Sequence, residues 1–349
     1  MDERIAEICE RAIQEKVFPG GVVGYIRGDT VNALPFGRLT YAANAPAVTS
    51  ETVYDVASVT KSVPTGSVIL KLIEEGRLGL DDQVIAYIPE LRNDYREHIL
   101  IRHLLTYTVI FDFPGGLAKV AREAPSRLLE RIFAAPLVTP PGARYYYTNA
   151  PAILLGLIAE RVCGQSLDLI ARRLFFEPLG MLATTFWPDF SDRQIAPTER
   201  DWRDEVQGQA HDEAAWVLTK TGMTPGHAGL FSTASDLLTF AQMLLCGGAW
   251  HRRQILDPQT IVRMHTNQIA KLGASTGLGW ELNQPHVMGS AASDQCFGKT
   301  GFTGCLILVD PVRKAALVHL SNRTYPDRSS TREAINTVRR ALADVVLAT

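Results

Sequence analysis

Ser58-Val59-Thr60-Lys61 sets a hydroxyl and an amine three residues apart, just ahead of a helix-forming run, Thr65 to Glu75, that stops at Gly76. With Ser58 at the helix N-terminus, Lys61 lies one turn later on the same face. Unpaired backbone N–H groups and the positive end of the helix dipole lie beside both. These are the parts of a serine nucleophile whose proton a lysine helps to take. Taken alone, the plainer reading is stronger: a helix N-cap serine followed by a solvated lysine.

Two further constellations change that balance. Tyr147-Thr148-Asn149 follows Pro140-Pro141-Gly142 and precedes an apolar helical run, Ala152 to Val162, that stops at Gly164. In an extended stretch Tyr147 and Asn149 point to the same side, so a phenol and a carboxamide enter one pocket together. Tyr145 and Tyr146 read as packing residues. The other constellation is Lys299-Thr300-Gly301, with a decoy at Lys220-Thr221-Gly222. Cys305 to Val309 and Ala315 to Leu320 are β-prone runs joined by Asp310-Pro311, so Lys299 is read as opening a strand of a hairpin. Lys220 runs into Met223-Thr224-Pro225-Gly226, which is loop chemistry, and is assigned to the surface. Gly301 is expected where substrate approaches the strand backbone.

In this order the three motifs resemble the penicillin-recognising serine hydrolases: class C β-lactamases, D-alanyl-D-alanine carboxypeptidases and β-lactamase-like esterases. The resemblance runs through LGLDDQVIAYIP (78–89), IRHLLT (101–106), GLIAERVCGQS (156–166), EPLGM (177–181), GLFSTASDLLTFAQMLL (229–245) and FGKTGFTG (297–304). There are departures. Tyr107-Thr108-Val109-Ile110 stands where the family often has His-Thr-Ser-Gly, and Pro64 falls inside the expected active helix, where a kink is expected. Lys299 stands where esterase-like members often carry His.

The resemblance implies that Ser58 attacks an ester or amide carbonyl while Lys61 and Tyr147 accept its proton. Tyr147 then protonates the leaving group and activates the deacylating water. The N–H groups of Ser58 and Phe302 are the expected oxyanion hole. Asn149, Lys299, Thr300 and Gly301 bind or position the substrate. Unperturbed Lys and Tyr, with pKa values near 10, are poor bases at neutral pH, so the cluster must be partly desolvated. The expected activity is that of a carboxylesterase on small acyl esters; the alternatives are a β-lactamase or D-alanyl-D-alanine carboxypeptidase/D-aminopeptidase, and, more remotely, a non-catalytic binding protein.

Gly273-Ala274-Ser275-Thr276-Gly277 fits the Gly-x-Ser-x-Gly pattern but lacks the strand before and the helix after that such an elbow needs, so it reads as a turn. His227 reads as a loop residue without a role, and His98, His103 and His265 as surface. No His pairing indicates a metal, no nucleotide-binding fingerprint is present, and no cofactor is expected.

With 349 residues, 46% of them apolar, the chain can bury a sizeable core; its net charge of −2 gives no reason to expect a nucleic acid or anionic membrane partner. No apolar run is long enough to span a bilayer, and no basic-then-apolar leader opens the chain, so a cytoplasmic location is expected. Cys9, Cys163, Cys246, Cys296 and Cys305 read as core thiols. Strand character near both ends, at 21–27, 31–38, 278–282, 305–309 and 315–320, brackets a mostly helical middle. The expected fold is α/β (α+β): an antiparallel sheet from residues 1–75 and 276–349, flanked by terminal helices, with a helical insertion over 76–275. Ser235 is expected to cap a helix, and a last helix is expected over 331–346.

Overall fold

The computed structural model describes residues 1–191 and 193–348. Its main sheet has six antiparallel strands: β1 (Gly20–Arg27), β2 (Thr30–Gly37), β3 (Glu281–Leu282), β4 (Phe297–Thr300), β5 (Leu306–Asp310) and β6 (Ala315–Ser321), in the order β2-β1-β6-β5-β4-β3. The strands from the two ends of the chain meet at the β1–β6 pair, where Val22 faces Leu320 and Ile26 faces Ala316.

Both faces of the sheet are covered, which is why its central strands are apolar almost throughout. On one face Val23, Tyr25, Leu306, Leu308 and Leu317 pack against α1 (Asp2–Gln14) and the last helix. The alternate residues Val22, Ile26, Ile307, Val309 and Val318 belong to the larger core shared with the helical middle. Within that middle, α2 (Ser67–Glu74) follows Ser58, α3 (Ala150–Cys163) follows Asn149, and α4 (Glu213–Lys220) and α5 (Ala234–Leu245) come next. The C-terminal α6 spans Arg332–Leu347. A Cβ on Gly24 would come within 2.8 Å of Leu238, so β1 needs this glycine to seat α5 on the sheet.

Several local expectations are corrected. The helix after Ser58 is not one regular run: a 3₁₀ turn, Ala57–Lys61, passes into a π turn, Ser62–Gly66, before α2 begins. Pro64 has no N–H to donate to the preceding turn, so the ladder widens there. Thr233, not Ser235, caps α5, its Oγ1 accepting from the Asp236 N–H at 3.2 Å. Strand β3 keeps only two of the five residues expected at 278–282, and Lys299 sits third in β4 rather than at its start. Cys9, Cys296 and Cys305 are buried, but Cys163 is half-buried and Cys246 exposed. His103 and His265 are half-buried rather than on the surface.

Candidate active site

Ser58 stands on a strained turn. Ala57 has φ +46°, a left-handed conformation that costs a non-glycine residue on the order of 1 kcal/mol. The buried carboxylate of Asp55 holds it, Oδ1 accepting from the Ala57 N–H and Oδ2 from the His211 N–H, both at 2.7 Å. Burial raises the Asp55 pKa to about 6, so the group is chiefly ionised at neutral pH. Behind Ser58, the Ser62 hydroxyl donates to Gly279 O at 2.6 Å and the Thr65 hydroxyl to Gly226 O at 2.7 Å. The nucleophile segment is thereby pinned to two loops far away in sequence.

The fold brings the three sequence motifs together. Ser58, Tyr147, Asn149, Thr300, Gly301 and Phe302 line one cavity of about 410 Å³. Lys61 is buried beneath it, with Nζ 2.8 Å from Ser58 Oγ and 2.8 Å from the main-chain carbonyl of His227. The Tyr147 ring centroid lies 5.2 Å from Lys61 Nζ and 4.1 Å from Lys299 Nζ, so the phenol sits between two amines. Burial raises the Tyr147 pKa, but the fields of Lys299 and Lys61 outweigh it and hold the phenol below its ordinary value. Burial likewise holds Lys61 below the usual lysine range. Both shifts increase the fraction of unprotonated base near neutrality.

Among the described residues, neither the Ser58 N–H nor the Phe302 N–H has a protein acceptor. Packing gives Gly301 a further reason to be glycine: a Cβ there would lie 2.5 Å from Val56 O. The missing side chain lets the end of β4 close against the turn that carries Ser58.

Four other residues at the site carry no readable sequence signal. Glu281 forms an ion pair with Lys299, whose side chain is inaccessible to solvent, and accepts from the Thr300 hydroxyl at 3.4 Å. Its field and those of the neighbouring phenols raise the Lys299 pKa despite burial. Tyr107, in the segment that departs from the family pattern, packs on Tyr147 with ring centroids 5.0 Å apart. Asp212 accepts from Asn149 Nδ2 at 3.1 Å and pairs through Oδ1 with His227 Nε2 at 2.8 Å. His227 is therefore not the idle loop residue expected. It is fully buried, its imidazole is held below the ordinary histidine pKa by burial, and its carbonyl anchors Lys61. Next to it, a Cβ on Gly226 would lie 2.2 Å from Ala152 O, so this loop must press against α3.

The decoys fall elsewhere. Lys220 is exposed at the end of α4, 5.6 Å over the Trp216 ring. Ser275 lies in a loop and accepts from Asn283 Nδ2 at 2.9 Å. Among the described residues no cluster of three or more His, Cys, Asp or Glu could hold a metal ion, and no helix is long and apolar enough to cross a membrane.

Similarity to known proteins agrees with this geometry. A family model described as Beta-lactamase matches residues 5–341. A protein of Escherichia coli K12 named as a putative D-alanyl-D-alanine carboxypeptidase is 34% identical over 309 residues, covering 79% of this chain and 70% of its own length. The fold is similar to that of EstCE1, described as a hydrolase with promiscuous acyltransferase activity (TM-score 0.79, 21% identity, 98% of both chains). It is also similar to an octameric penicillin-binding protein homologue from Pyrococcus abyssi (TM-score 0.75, 24% identity, 97% of this chain and 77% of that one). Both likenesses speak for the fold alone. The match over 5–341 and the relative sharing a third of its residues lead to one conclusion: the chain belongs to the β-lactamase family and is a serine hydrolase.

Proposed function

We propose that the protein is a carboxylesterase that works through an acyl-enzyme on Ser58. Ser58 Oγ attacks the ester carbonyl as its proton passes to the Lys61–Tyr147 couple, and the carbonyl oxygen takes up negative charge between the Ser58 and Phe302 N–H groups. The carbon–oxygen bond to the leaving alcohol breaks as Tyr147 returns the proton to that oxygen. Water, deprotonated by the same couple, then attacks the acyl-serine, and Ser58 leaves with the proton. Asn149, oriented by Asp212, holds one side of the site, and Lys299 sets the field at the phenol.

The preference for esters rests on one observation. On the other side of Tyr147 and Asn149 lies a second, largely apolar groove of about 640 Å³, lined by Phe111, Phe113, Leu117 and Val138, with Asp112 and Arg144 also in its lining. It shares Tyr147 and Asn149 with the Ser58 cavity, so an apolar arm of a substrate held at Ser58 has a place to lie. A D-alanyl-D-alanine carboxypeptidase is the second reading, favoured by the name of the 34% identical relative.

p-Nitrophenyl butyrate and a chromogenic cephalosporin, assayed side by side with a D-alanyl-D-alanine peptide, decide between these readings. We expect the ester to be turned over fastest and Ser58→Ala to abolish all turnover. Faster cephalosporin or peptide turnover reverses the ranking.

A further inference from the structure

In the proposed reaction the carbonyl oxygen gathers charge between two N–H groups, and these belong to the peptides Ala57–Ser58 and Gly301–Phe302. An amide N–H becomes a stronger donor when the carbonyl of its own peptide accepts a hydrogen bond, because the two ends polarise together. Both carbonyls are so occupied. Ala57 O accepts from the buried Thr60 hydroxyl at 2.6 Å, and Thr60 Oγ1 in turn accepts from the Leu230 N–H at 3.2 Å. Gly301 O accepts from Arg339 Nη2 at 2.7 Å and from the Gly304 N–H at 3.2 Å. The same guanidinium nitrogen donates to Cys305 O at 2.8 Å, so it spans the turn that carries Phe302.

Arg339 is buried in α6, and burial lowers its pKa to about 10, so it stays charged at neutral pH. Its bonds go to neutral oxygens, those of Gly301, Cys305 and Asn336 (2.9 Å), and its buried Nε has no partner among the described residues. A cation desolvated onto neutral partners opposes folding, and its poorly screened field acts on any charge that develops nearby. We infer that Arg339 and Thr60 are positioning residues of the oxyanion hole. Each holds and polarises one of its two peptides through the carbonyl, and Arg339 adds a positive charge behind the Phe302 N–H. The inference rests on the acyl-enzyme reading of Ser58 and goes beyond it. Arg323 holds the next peptide, Nε donating to Phe302 O at 2.8 Å, so the turn is fixed on both sides of Phe302. Arg339 and Thr60 act on charge that forms only as Ser58 attacks, so their loss should appear in kcat and not in KM.

The test uses the full chain with two probes. p-Nitrophenyl butyrate has no charge for an arginine to bind, and butylboronic acid forms a tetrahedral adduct on Ser58 that carries the negative charge of the transition state. Arg339→Met should lower kcat by about 10- to 100-fold, keep KM within about threefold, and weaken boronate binding, read by calorimetry, by a factor like that in kcat. Arg339→Lys, which keeps the charge and a donor, should fall between. Thr60→Val should lower kcat and boronate affinity by about tenfold, and Thr60→Ser, which keeps the hydroxyl, should retain most of both. Thermal melts establish folding; should Arg339→Met not fold, Arg339→Lys and the two Thr60 variants decide by the same readouts. A loss in KM alone, or unchanged kcat and boronate affinity in a folded Arg339→Met or Thr60→Val protein, overturns the inference. An arginine that served only packing, or only an anionic substrate, would behave in that way. Boronate binding that these substitutions weaken, in a protein that does not turn over the ester, counts against the esterase reading and leaves the inference standing. No boronate binding by the unaltered protein overturns the inference whatever the ester does.

Discussion

Lys61 Nζ lies 2.8 Å from Ser58 Oγ and 2.8 Å from the main-chain carbonyl of His227. An amine held this way in a buried setting is aimed at the hydroxyl of the nucleophile. We expect Lys61→Met to lower kcat by about 10³-fold or more, close to the effect of Ser58→Ala, with the double mutant no worse than either. Residues that act as a unit show this non-additivity. A double mutant whose losses multiply would separate the two residues.

The pH profile follows from the placement of Tyr147 between two amines. Tyr147 and Lys61 both have pKa values below their ordinary ones, and the active form of the couple is the one that has lost a proton. kcat/KM for a neutral ester should therefore rise with pH and level off well below pH 10, the ordinary pKa of either side chain. A stopped assay from pH 5 to 10 reads this directly. Activity still climbing tenfold per unit at pH 9.5 would mean that the field between the amines is absent.

The Ser58, Tyr147 and Lys299 motifs were legible because each is a short-range pattern placed by its own element. The same holds for the sheet, whose apolar runs at 21–27, 305–309 and 315–320 match β1, β5 and β6 closely. Glu281, Asp212 and His227 were illegible because their roles arise only from tertiary contact, and nothing local marks a glutamate that will meet a lysine 18 residues away. Thr233 and Ser235 are chemically alike as caps, and only backbone geometry chose between them. Pro64 announced a disturbance, but a π turn and a simple kink leave the same trace in sequence.

His227 separates main-chain from side-chain action. Its carbonyl holds Lys61, while its ring holds Asp212. His227→Gln should keep turnover within about tenfold, because glutamine can still donate to Asp212 and the carbonyl remains. His227→Ala should destabilise the fold by about 1–3 kcal/mol by leaving buried groups unpaired. Thermal melts alongside kcat measure the two effects separately. A Gln variant as inactive as Ser58→Ala would instead give the imidazole a direct part in the chemistry.

Leu117 offers a test of the groove that leaves Ser58 alone. It lines the apolar cavity but not the one beside the hydroxyl. Each methylene buried there contributes about 0.8 kcal/mol, so kcat/KM should rise from acetate to hexanoate esters. Leu117→Asp should remove most of that rise and change acetate turnover little. A chain-length series on both proteins reads it, and parallel losses at every length would place the acyl arm elsewhere.

Acid stability should be governed partly by His319, at the centre of β6. It is fully buried against Phe18, ring centroids 5.3 Å apart, and neither ring nitrogen has a partner among the described residues. Burial lowers its pKa to about 3. A histidine whose folded pKa lies below its unfolded value contributes no penalty above about pH 6.5, and stability is lost as pH falls from there toward 3. At pH 4.5 this single group should cost about 2–3 kcal/mol. His319→Leu, of similar volume and without the unpaired nitrogens, should match or exceed the unaltered protein at pH 7 and lose less on acidification. Denaturant midpoints at pH 7 and 4.5 for both proteins give the comparison, and equal acid losses would mean that the ring is solvated or paired in solution.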